Sequence, residues 1–542
     1  MTRREIYNFL RKNGWITILL ILSVIGTTLA ICGFCQQGYN FSESLYRTFQ
    51  LFFLNILFGE DGIEISCQLQ WARWLIFIAF LWATFRLFVE IITPQFFKNQ
   101  KIRFCYRNHI IICGLNKITI SLIEKFKDKK FIILAEEKNK YAENLKTKGV
   151  NLLIGDFSDK NFWKKAKIGK ASMLYAIIDN DKMNVKITQS VFSVLKKENE
   201  TESLKCFALI NDRNLKNMLE ESSIFKQKRD FFDITLFNIN EMGIKYGIAM
   251  NIDKILLAKI EAIPEILLVG LTEKTEIVLL NLSHCLTMKQ EIFKFTIIEE
   301  NPEKIHLFKK RNTYLFKENF AEINFVSEIK SEKQFDSILI CLDNPIEAIK
   351  KADEIRYLLG ETNENKYIFI FCDGTDTFYK VLKEEWKKKN ISVINLFDEV
   401  ADYVFTLDKD IEEKAKEAHH FWNTLYNKNT EWNKLTAHFK QSNRNQILDN
   451  YLRFYIARGE NLGDIKSRLI SFSDNERKTL AKMEHRRWML EKFDNGWSFG
   501  KRNNELKRHD CLCCWEKLPE EQQAKDYNAI DLMTKLLNNQ TK

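Results

Sequence analysis

The sequence predicts a membrane-embedded helical segment, then two α/β domains with parallel sheets, then a mainly helical carboxyl-terminal region. Three observations support this fold class. The first hundred residues of the 542-residue chain contain two long apolar runs. Short apolar strands then alternate with amphipathic helices as far as Phe397. Beyond Asp408 the strand pattern gives way to helical periodicity.

Composition narrows the function classes. The chain is 45% hydrophobic and 28% charged, as expected for a mostly globular protein. Its net charge is +10, but lysines and glutamates alternate, so we interpret the charge as a solvated surface and expect no nucleic-acid partner. Many of the 12 cysteines lie in apolar runs, which suits the reducing cytosol. His509 and Cys511 lack a second Cys/His pair at metal spacing, so we predict no metal site.

Two apolar runs in the first hundred residues predict a multi-pass protein of the cytoplasmic (inner) membrane, with a membrane domain at 1–100. Trp15–Cys35 is 21 residues long and uncharged, which is enough for one span. Trp71–Ile92 is the second candidate, and its Arg86 and Glu90 share a helix face. Basic residues flank the outer ends of both runs, so both termini are expected in the cytosol.

The segment between these runs predicts a pore. Ser42–Phe58 is apolar but short for a span, so we interpret it as a re-entrant pore helix. Two spans around a pore helix resemble the pore module of two-helix potassium channels, although Gly59, Glu60 and Asp61 replace a TVGYG-type filter. These three residues are the candidate pore lining, with Glu60 and Asp61 as a cation-attracting ring. The alternative is a membrane anchor without a pore. Conduction requires a homo-oligomer, most simply a tetramer.

The first α/β domain is predicted at 105–258. Its candidate strands are 109–114, 131–137, 150–156, 173–179, 206–212 and 233–239. Gly114 ends the first strand where a dinucleotide-binding fingerprint would begin, but Asn116 and Thr119 replace the second and third glycines. Glu136 follows the second strand, where an acid would meet a ribose.

The order of these motifs resembles the TrkA-N, or RCK, regulatory domains of potassium channels and transporters. The resemblance rests on HIIICG, on Glu136 at the end of the second strand, on Asp156 after the third and on Asn184 after the fourth. It implies a Rossmann-like fold with candidate nucleotide contacts at Gly114, Asn116, Glu136 and Asp156. The lost glycines argue against binding, so nucleotide binding and a purely structural assembly role both stay open.

A second, degenerate copy is predicted at 262–408. Its candidate strands are 266–271, 295–300, 337–343, 367–373 and 391–397. Gly270 is all that remains of a glycine loop. Tandem copies of this kind are typical of channel gating rings, an inference by fold analogy alone.

The last quarter of the chain is predicted to be helical, with a connector at 409–468. Helices are expected at 411–426 and 443–459, and Ser473 with Glu476 forms a capping-box pattern for a further helix that ends near Phe493. On that helix Glu484, Arg487 and Trp488 share one face.

Residues 470–542 resemble the RyR domain, a small repeat named from ryanodine receptors. The matching motifs are Glu484-His485, Trp488, Gly496-Trp497-x-x-Gly500 and His509-x-Cys511. Aromatic faces beside arginine and histidine suit a stacked base and a paired phosphate. The resemblance therefore makes these residues candidate ligand contacts: Glu484, His485, Arg487, Trp488, Trp497 and His509. The alternative is that the tryptophans are core residues and that Glu484 and Arg487 form a structural ion pair.

Prokaryotic RyR domains are associated with nucleotide-derived signals in antiviral systems, which is what the resemblance implies here. The sequence thus predicts a ligand-gated membrane effector, a cation channel opened by a nucleotide-like second messenger. The first alternative is a potassium channel or uptake regulator that responds to NAD or a similar nucleotide. The second is a non-conducting membrane scaffold. Nucleophile-elbow, HExxH, P-loop and paired-carboxylate motifs are absent from the sequence, so we do not expect an enzyme.

Overall fold

The computed structural model forms two compact units, Met1–Cys105 and Tyr106–Lys542. The residues that it describes are 3–52, 66–85, 106–126, 129–137, 139–147, 150–198, 203–222, 225, 231–256, 262–329, 334–359, 366–373, 386, 388–406, 411–461 and 469–539.

Three helices form the described part of the first unit: Arg3–Gln36, Phe41–Phe52 and 67–85. Two glycines let the first and third helices approach closely. A Cβ atom at Gly26 would lie 2.9 Å from Ile76 Cγ1, and one at Gly33 would lie 2.6 Å from Leu69 Cγ. The helices pack through their small residues, which frees the larger side chains to face outward.

Large apolar side chains cover the outside of this unit. The exposed ones include Val24, Trp71, Trp74 and Phe85. An apolar surface of this extent is typical of contact with lipid or with another subunit. Among the described residues one helix, over Leu19–Gln36, is long and apolar enough to cross a membrane, as the first predicted span requires.

Two membrane predictions reach beyond the described residues. The second predicted span, Trp71–Ile92, is helical as far as residue 85, where the described segment ends. The predicted pore residues Gly59, Glu60 and Asp61 lie outside the described residues.

Six parallel strands form the first α/β domain, and its sheet confirms the Rossmann-like prediction. Their spatial order is third, second, first, fourth, fifth, sixth, which is the dinucleotide-binding order. The strands are His109–Cys113, Phe131–Ala135, Asn151–Ile154, Ala171–Ala176, Leu204–Leu209 and Phe232–Phe237. The helices are Lys117–Lys125, Lys140–Thr147, Lys160–Lys165, Asp181–Glu198, Arg213–Glu221, Ile239–Met250 and Ile252–Leu256. Most strand residues are buried, because helices cover both faces of the sheet.

The second α/β domain repeats the same strand order. Its strands are Glu265–Val269, Lys294–Ile298, Glu322–Val326, Ser337–Ile340, Tyr367–Cys372 and Ile391–Asn395. Its helices are Glu273–Leu282, Pro302–Arg311, Thr313–Lys317, Pro345–Leu359 and Leu396–Thr406. The sequence predicted five of these strands and missed Glu322–Val326. That strand lies at the sheet edge, where its side chains are half-buried or exposed, so it lacks a continuous apolar run.

The helix after the sixth strand of each domain crosses its counterpart, and we call Ile239–Met250 and Leu396–Thr406 the crossing helices. Each also packs on the first helix of the other domain. Two hydrogen bonds mark these exchanged contacts: Ser121 Oγ to Asp398 Oδ1 at 2.8 Å, and Asn240 Nδ2 to Glu273 Oε2 at 3.0 Å. The two domains are therefore held together as a pseudo-symmetric pair.

The carboxyl-terminal region is helical, as predicted. Its helices are Glu412–Leu425, Ala437–Arg458, Asp474–Asp494 and Glu520–Asn539. We call the first two the connector helices and Asp474–Asp494 the sensor helix. The Ser473–Glu476 capping box is present, which confirms the predicted start. The second connector helix starts six residues before the prediction, because Thr436 caps it.

The sensor helix is part of the core of the second α/β domain. Its buried Leu480, Met483 and Leu490 belong to the same apolar cluster as Ile277 and Phe293 of that domain. Arg486 adds polar anchors, because its guanidinium donates to the carbonyl oxygens of Ser283 (2.8 Å), His284 (3.2 Å) and Phe320. Burial lowers the pKa of Arg486 to about 10.

Candidate functional site

A cavity of about 830 Å³, which we call the sensor cavity, lies between the connector helices and the carboxyl-terminal residues. Five of the six ligand contacts predicted in this region line it: Glu484, His485, Arg487, Trp488 and His509. Helical spacing brings the first four together, and a short two-stranded pairing of Ser498–Phe499 with Arg508–His509 brings the fifth.

The base of the sensor cavity is a buried ion-pair cluster. Arg487 binds Glu484 in a bidentate pair, with Nε–Oε2 at 2.8 Å and Nη2–Oε1 at 2.9 Å, and its Nη1 lies 2.7 Å from Glu491 Oε2. Burial opposes the charge of Arg487, but the two carboxylates outweigh it and raise its pKa. The structural ion pair considered in the sequence analysis therefore exists, and it also borders the cavity.

Trp488 forms an aromatic wall with two histidines. Its ring lies 5.9 Å from that of His485, nearly parallel, and 5.0 Å from that of His509, edge to face. His485 is buried; its Nε2 donates to the Cys513 carbonyl oxygen at 2.9 Å, and its Nδ1 lies 3.4 Å from Asp526. These contacts hold the His485 ring in place and leave the half-buried Trp488 as the stacking surface.

A second aromatic part of the lining comes from the first connector helix and was not predicted as a site. Trp422 and Tyr426 are four residues apart, so they share a helix face, and their rings stack at 5.6 Å with an 8° interplanar angle. Lys525 Nζ lies 5.9 Å from the Tyr426 ring centroid. The spacing of two aromatic residues at i and i+4 in the predicted helix 411–426 could have revealed this surface from the sequence.

Cationic side chains dominate the lining. Five of them line the cavity against two acids, a formal excess of 5 − 2 = 3 positive charges with histidines neutral: Lys428, Lys434, Arg487, Arg502 and Lys525 against Glu484 and Asp526. Burial raises the pKa of Asp526, against the opposing effect of its hydrogen bond with His485. Cationic groups beside exposed rings suit an anionic ligand with an aromatic group.

Trp497, the sixth predicted ligand contact, is not among the residues that line the sensor cavity, and its role as a ligand contact stays a prediction. Lys492 Nζ lies 4.7 Å over its ring, and the ring is 6.4 Å from that of His509. Gly496, with φ of +77°, turns the chain after the sensor helix, and that turn directs the indole onto the helix end.

Buried charges link the sensor cavity to the second α/β domain. Glu484 pairs with Arg453, Arg453 Nη2 lies 2.6 Å from Asp449 Oδ2, and Asp449 Oδ1 lies 2.7 Å from His284 Nε2. Burial raises the pKa of Asp449, but Arg453 and His284 outweigh this and leave it well below its usual range. A continuous series of two ion pairs and one hydrogen bond thus joins the sensor helix, the second connector helix and the second α/β domain.

A smaller cavity of about 120 Å³ lies on the other side of Arg487. It is lined by residues of both α/β domains, the connector and the sensor helix, including Lys245, His284 and Asp494. Lys245 belongs to a crossing helix, and burial followed by the nearby Arg487 charge lowers its pKa to about 8. Arg487 is therefore shared between the sensor cavity and the junction of the two domains.

The nucleotide crevice of the first α/β domain is filled by its own side chains. Gly114 has φ of +128°, and a Cβ there would lie 3.0 Å from the Ile177 carbonyl oxygen. Asn116 is buried; it caps the following helix by accepting from Thr119 N at 3.1 Å and donates to Asp179 Oδ1 at 3.0 Å. Its side chain satisfies a helix N-terminal N–H group that a pyrophosphate would bind.

The two acids predicted beside this crevice are exposed. Glu136 follows the second strand, as the sequence indicated. Asp156 follows the third strand and accepts from Ser158 N at 2.7 Å, and this backbone hydrogen bond lowers its pKa. Of the four predicted residues, Gly114 and Asn116 are adjacent in one turn, whereas Asp156 stabilises a turn of its own.

The crevice of the second domain is closed by a lysine that the sequence analysis missed. Lys274 is 1% exposed, and its Nζ lies 3.3 Å from the carbonyl oxygens of Leu342 and Phe371 and from Asp373 Oδ1. Lys274 follows Glu273 at the start of the first helix of this domain, and this position beside the crevice could have identified it from the sequence.

Comparison with known proteins agrees with the two domain resemblances. Residues 110–226 match the TrkA-N domain, and residues 466–540 match the RyR domain. The chain carries a TrkA-N domain and a RyR domain. Potassium channel protein 1 of Methanocaldococcus jannaschii is 35% identical over 86 residues, which are 15% of this chain and 26% of that protein. The match thus spans about a quarter of this relative's length.

Among solved structures, the GsuK channel bound to ADP is 14% identical, with a TM-score of 0.37, over 73% of this chain and 96% of that one. The GsuK channel bound to NAD is 12% identical, also with a TM-score of 0.37, over 75% of this chain and 84% of that one.

Proposed function

We propose that this TrkA-N and RyR domain protein is the subunit of an oligomeric, potassium-channel-like cation channel, and that an anionic, nucleotide-like second messenger bound in the sensor cavity sets its opening. The observation that carries the proposal is the meeting of the predicted RyR contacts in one cationic, aromatic-walled cavity. Trp488 stacks a base, and Arg502 and Lys525 pair with phosphate groups. A role in antiviral defence rests on the RyR resemblance alone and stays a prediction.

Ligand binding is transmitted through the buried ion pairs. An anion that reaches Arg487 competes with Glu484 and Glu491 for the guanidinium. Any change in Glu484 pairing alters the Arg453–Asp449–His284 series, which ends at the second α/β domain. The paired domains then act on the pore.

Binding and conduction need separate tests. Full-length protein in lipid nanodiscs is titrated calorimetrically with AMP, ADP and NAD, and co-purified ligands are identified by mass spectrometry. We expect binding that Trp488→Leu weakens at least about fivefold, since one stacked base contributes ~1–3 kcal/mol. Glu136→Ala is the matched control at the first α/β crevice and should leave binding unchanged. Full binding in the Trp488 variant, or its loss in the Glu136 variant, would contradict the assignment.

Ion selectivity tests the pore. We expect reconstituted protein to conduct cations, and Glu60→Gln with Asp61→Asn to weaken the preference for cations over anions, because an acidic ring concentrates cations at a pore mouth. Anion-selective currents, or a monomer in both detergent and lipid, would rule out an oligomeric cation channel.

A second candidate is a potassium channel regulated by a nucleotide in the first α/β crevice, and the match to potassium channel protein 1 favours its channel part. This candidate predicts that Glu136→Ala abolishes nucleotide binding. The Asn116 cap is the observation against it, and the calorimetry above decides between the two sites.

A further inference from the structure

The sensor cavity has a second stacking surface that the RyR domain does not supply. The parallel pair Trp422–Tyr426 lies on the first connector helix and lines the same cavity as Trp488. Tyr426 is 37% exposed and Trp422 is half-buried, so this aromatic surface is accessible. Aromatic rings favour offset-stacked contacts, so a planar group can stack on these rings.

The cations that line the cavity come from both parts of the chain that carry its aromatic rings, and Lys525 of the RyR domain also lies 5.9 Å from the Tyr426 ring centroid of the connector. Lys428 and Lys434 belong to the connector, and Arg502 and Lys525 belong to the RyR domain. A mononucleotide beside Trp488 needs only the RyR group. Lys428 and Lys434 would have an anionic partner only if the ligand places a further phosphate beside the connector.

The size of the cavity points the same way. Its volume of about 830 Å³ lies in the upper part of the roughly 300–1,000 Å³ found for ligand sites that bury most of a drug-sized molecule. A single nucleotide stacked on one wall would leave the other wall and its lysines in contact with solvent.

We infer that the ligand is of the dinucleotide class, with one ring system on Trp488, a second on Trp422 and Tyr426, and the phosphates held between the two cation groups. This inference rests on the proposed function. A two-ended ligand clamps the connector to the RyR domain, whereas a mononucleotide touches one side only. The connector helices therefore belong to the binding site.

Calorimetry on the full chain in nanodiscs, in the Glu136→Ala background, tests the inference with AMP, NAD and cyclic di-AMP as probes. We expect at least one dinucleotide to bind about fivefold or more tightly than AMP, the effect of one extra stacked base. Trp422→Leu should bring that affinity to the AMP level and leave AMP binding unchanged. Trp488→Leu should weaken both. Tyr357→Leu removes an 86% exposed ring on the second α/β domain and is the matched control.

Lys428→Ala with Lys434→Ala provides a second variant pair in exposed side chains, for use where Trp422→Leu fails to fold. It should likewise lower dinucleotide affinity and spare AMP. Equal affinities for AMP and both dinucleotides, unchanged in the connector variants but reduced by Trp488→Leu, would overturn the two-ended ligand and leave the proposed function standing. Absence of binding by all three probes would overturn both.

Discussion

Arg487 illustrates how one side chain serves both stability and sensing. Its guanidinium borders the sensor cavity and the smaller cavity at the domain junction, and it pairs with Glu484 and Glu491. The sequence predicts Arg487 as a ligand contact. The structure shows that removing it also takes away charge-assisted hydrogen bonds from Glu484, which is buried and keeps Arg453 as a second partner, and from Glu491.

We therefore predict that Arg487→Ala lowers the free energy of unfolding by about 1.5–3 kcal/mol, the usual contribution of hydrogen bonds to charged groups, because Arg453 still compensates the buried Glu484. Arg502→Ala, an exposed cavity residue, should change it by less than about 0.5 kcal/mol. Thermal and denaturant unfolding of the full chain in detergent measures both. Equal free energies of unfolding for the two variants would show that the ion pairs of Arg487 do not stabilise the fold.

Because of Lys245, we predict that the free energy of unfolding depends on pH. Its pKa falls from an ordinary 10.5 to about 8, first through burial and second through Arg487. The fold thus favours the neutral amine, so the cost of charged Lys245 is fully present below pH 8 and disappears as the pH rises through 10.5. Lys245→Met should stabilise the protein at pH 7 by on the order of 1–3 kcal/mol, and by less at pH 9.5. A gain independent of pH would refute the assigned cause.

Single residues also mark the limit of sequence reasoning. Motif spacing was enough to bring Glu484, Arg487 and Trp488 together, because helical periodicity fixes which side chains share a face. It could not place Trp497, whose direction depends on the turn at Gly496. It also could not show that Asn116 fills its own crevice, since the partner Asp179 is 63 residues away.

At the scale of elements, the crossing helices set the distance between the two α/β domains. Gly243 and Gly247 lie on the crossing face. A Cβ at Gly243 would be 3.0 Å from the Leu396 carbonyl oxygen, and one at Gly247 would be 2.7 Å from Ile394 Cγ2. The backbone at Leu396 and the β-branched side chain of Ile394 have little freedom to move away, so both positions require glycine.

We expect Gly243→Ala and Gly247→Ala each to destabilise the protein by about 1–3 kcal/mol through overpacking, even though alanine is the better helix former. Lys254→Ala on the following short helix provides a control that should have little effect. Unfolding temperatures measure the difference. Stabilisation by either glycine substitution would mean that the helices separate at no cost and do not couple the domains.

Elements were predicted wherever burial produces a regular apolar pattern. Eleven strands of the two parallel sheets, eight of them interior, and the capped sensor helix were visible in this way. The edge strand Glu322–Val326 was not, because none of its residues is fully buried and it lacks a continuous apolar run. The second stacking surface was missed for a related reason: its function depends on RyR domain residues that line the same cavity, which periodicity within one helix does not reveal.

For the whole molecule, gating is a matter of differential affinity. Moving a channel from 1:99 to 99:1 open requires about 5.5 kcal/mol. Shared among four subunits this is about 1.4 kcal/mol each, within the range of one stacked base or one charge-assisted hydrogen bond. A single cavity per subunit therefore suffices, provided that the subunits act together.

Deleting residues 470–542 looks from the sequence like a clean way to remove the sensor, but the shared core predicts otherwise. The sensor helix buries Leu480, Met483 and Leu490 against the second α/β domain, and Arg486 satisfies three carbonyl oxygens there. Truncation exposes this apolar surface and leaves those acceptors unpaired, so we expect aggregation or loss of the protein from the membrane rather than a channel without ligand control. Size-exclusion chromatography of truncated and full-length protein, with Trp488→Leu as the folded, ligand-insensitive comparison, decides between these outcomes. A monodisperse truncated oligomer with constant activity would show instead that the RyR domain is detachable.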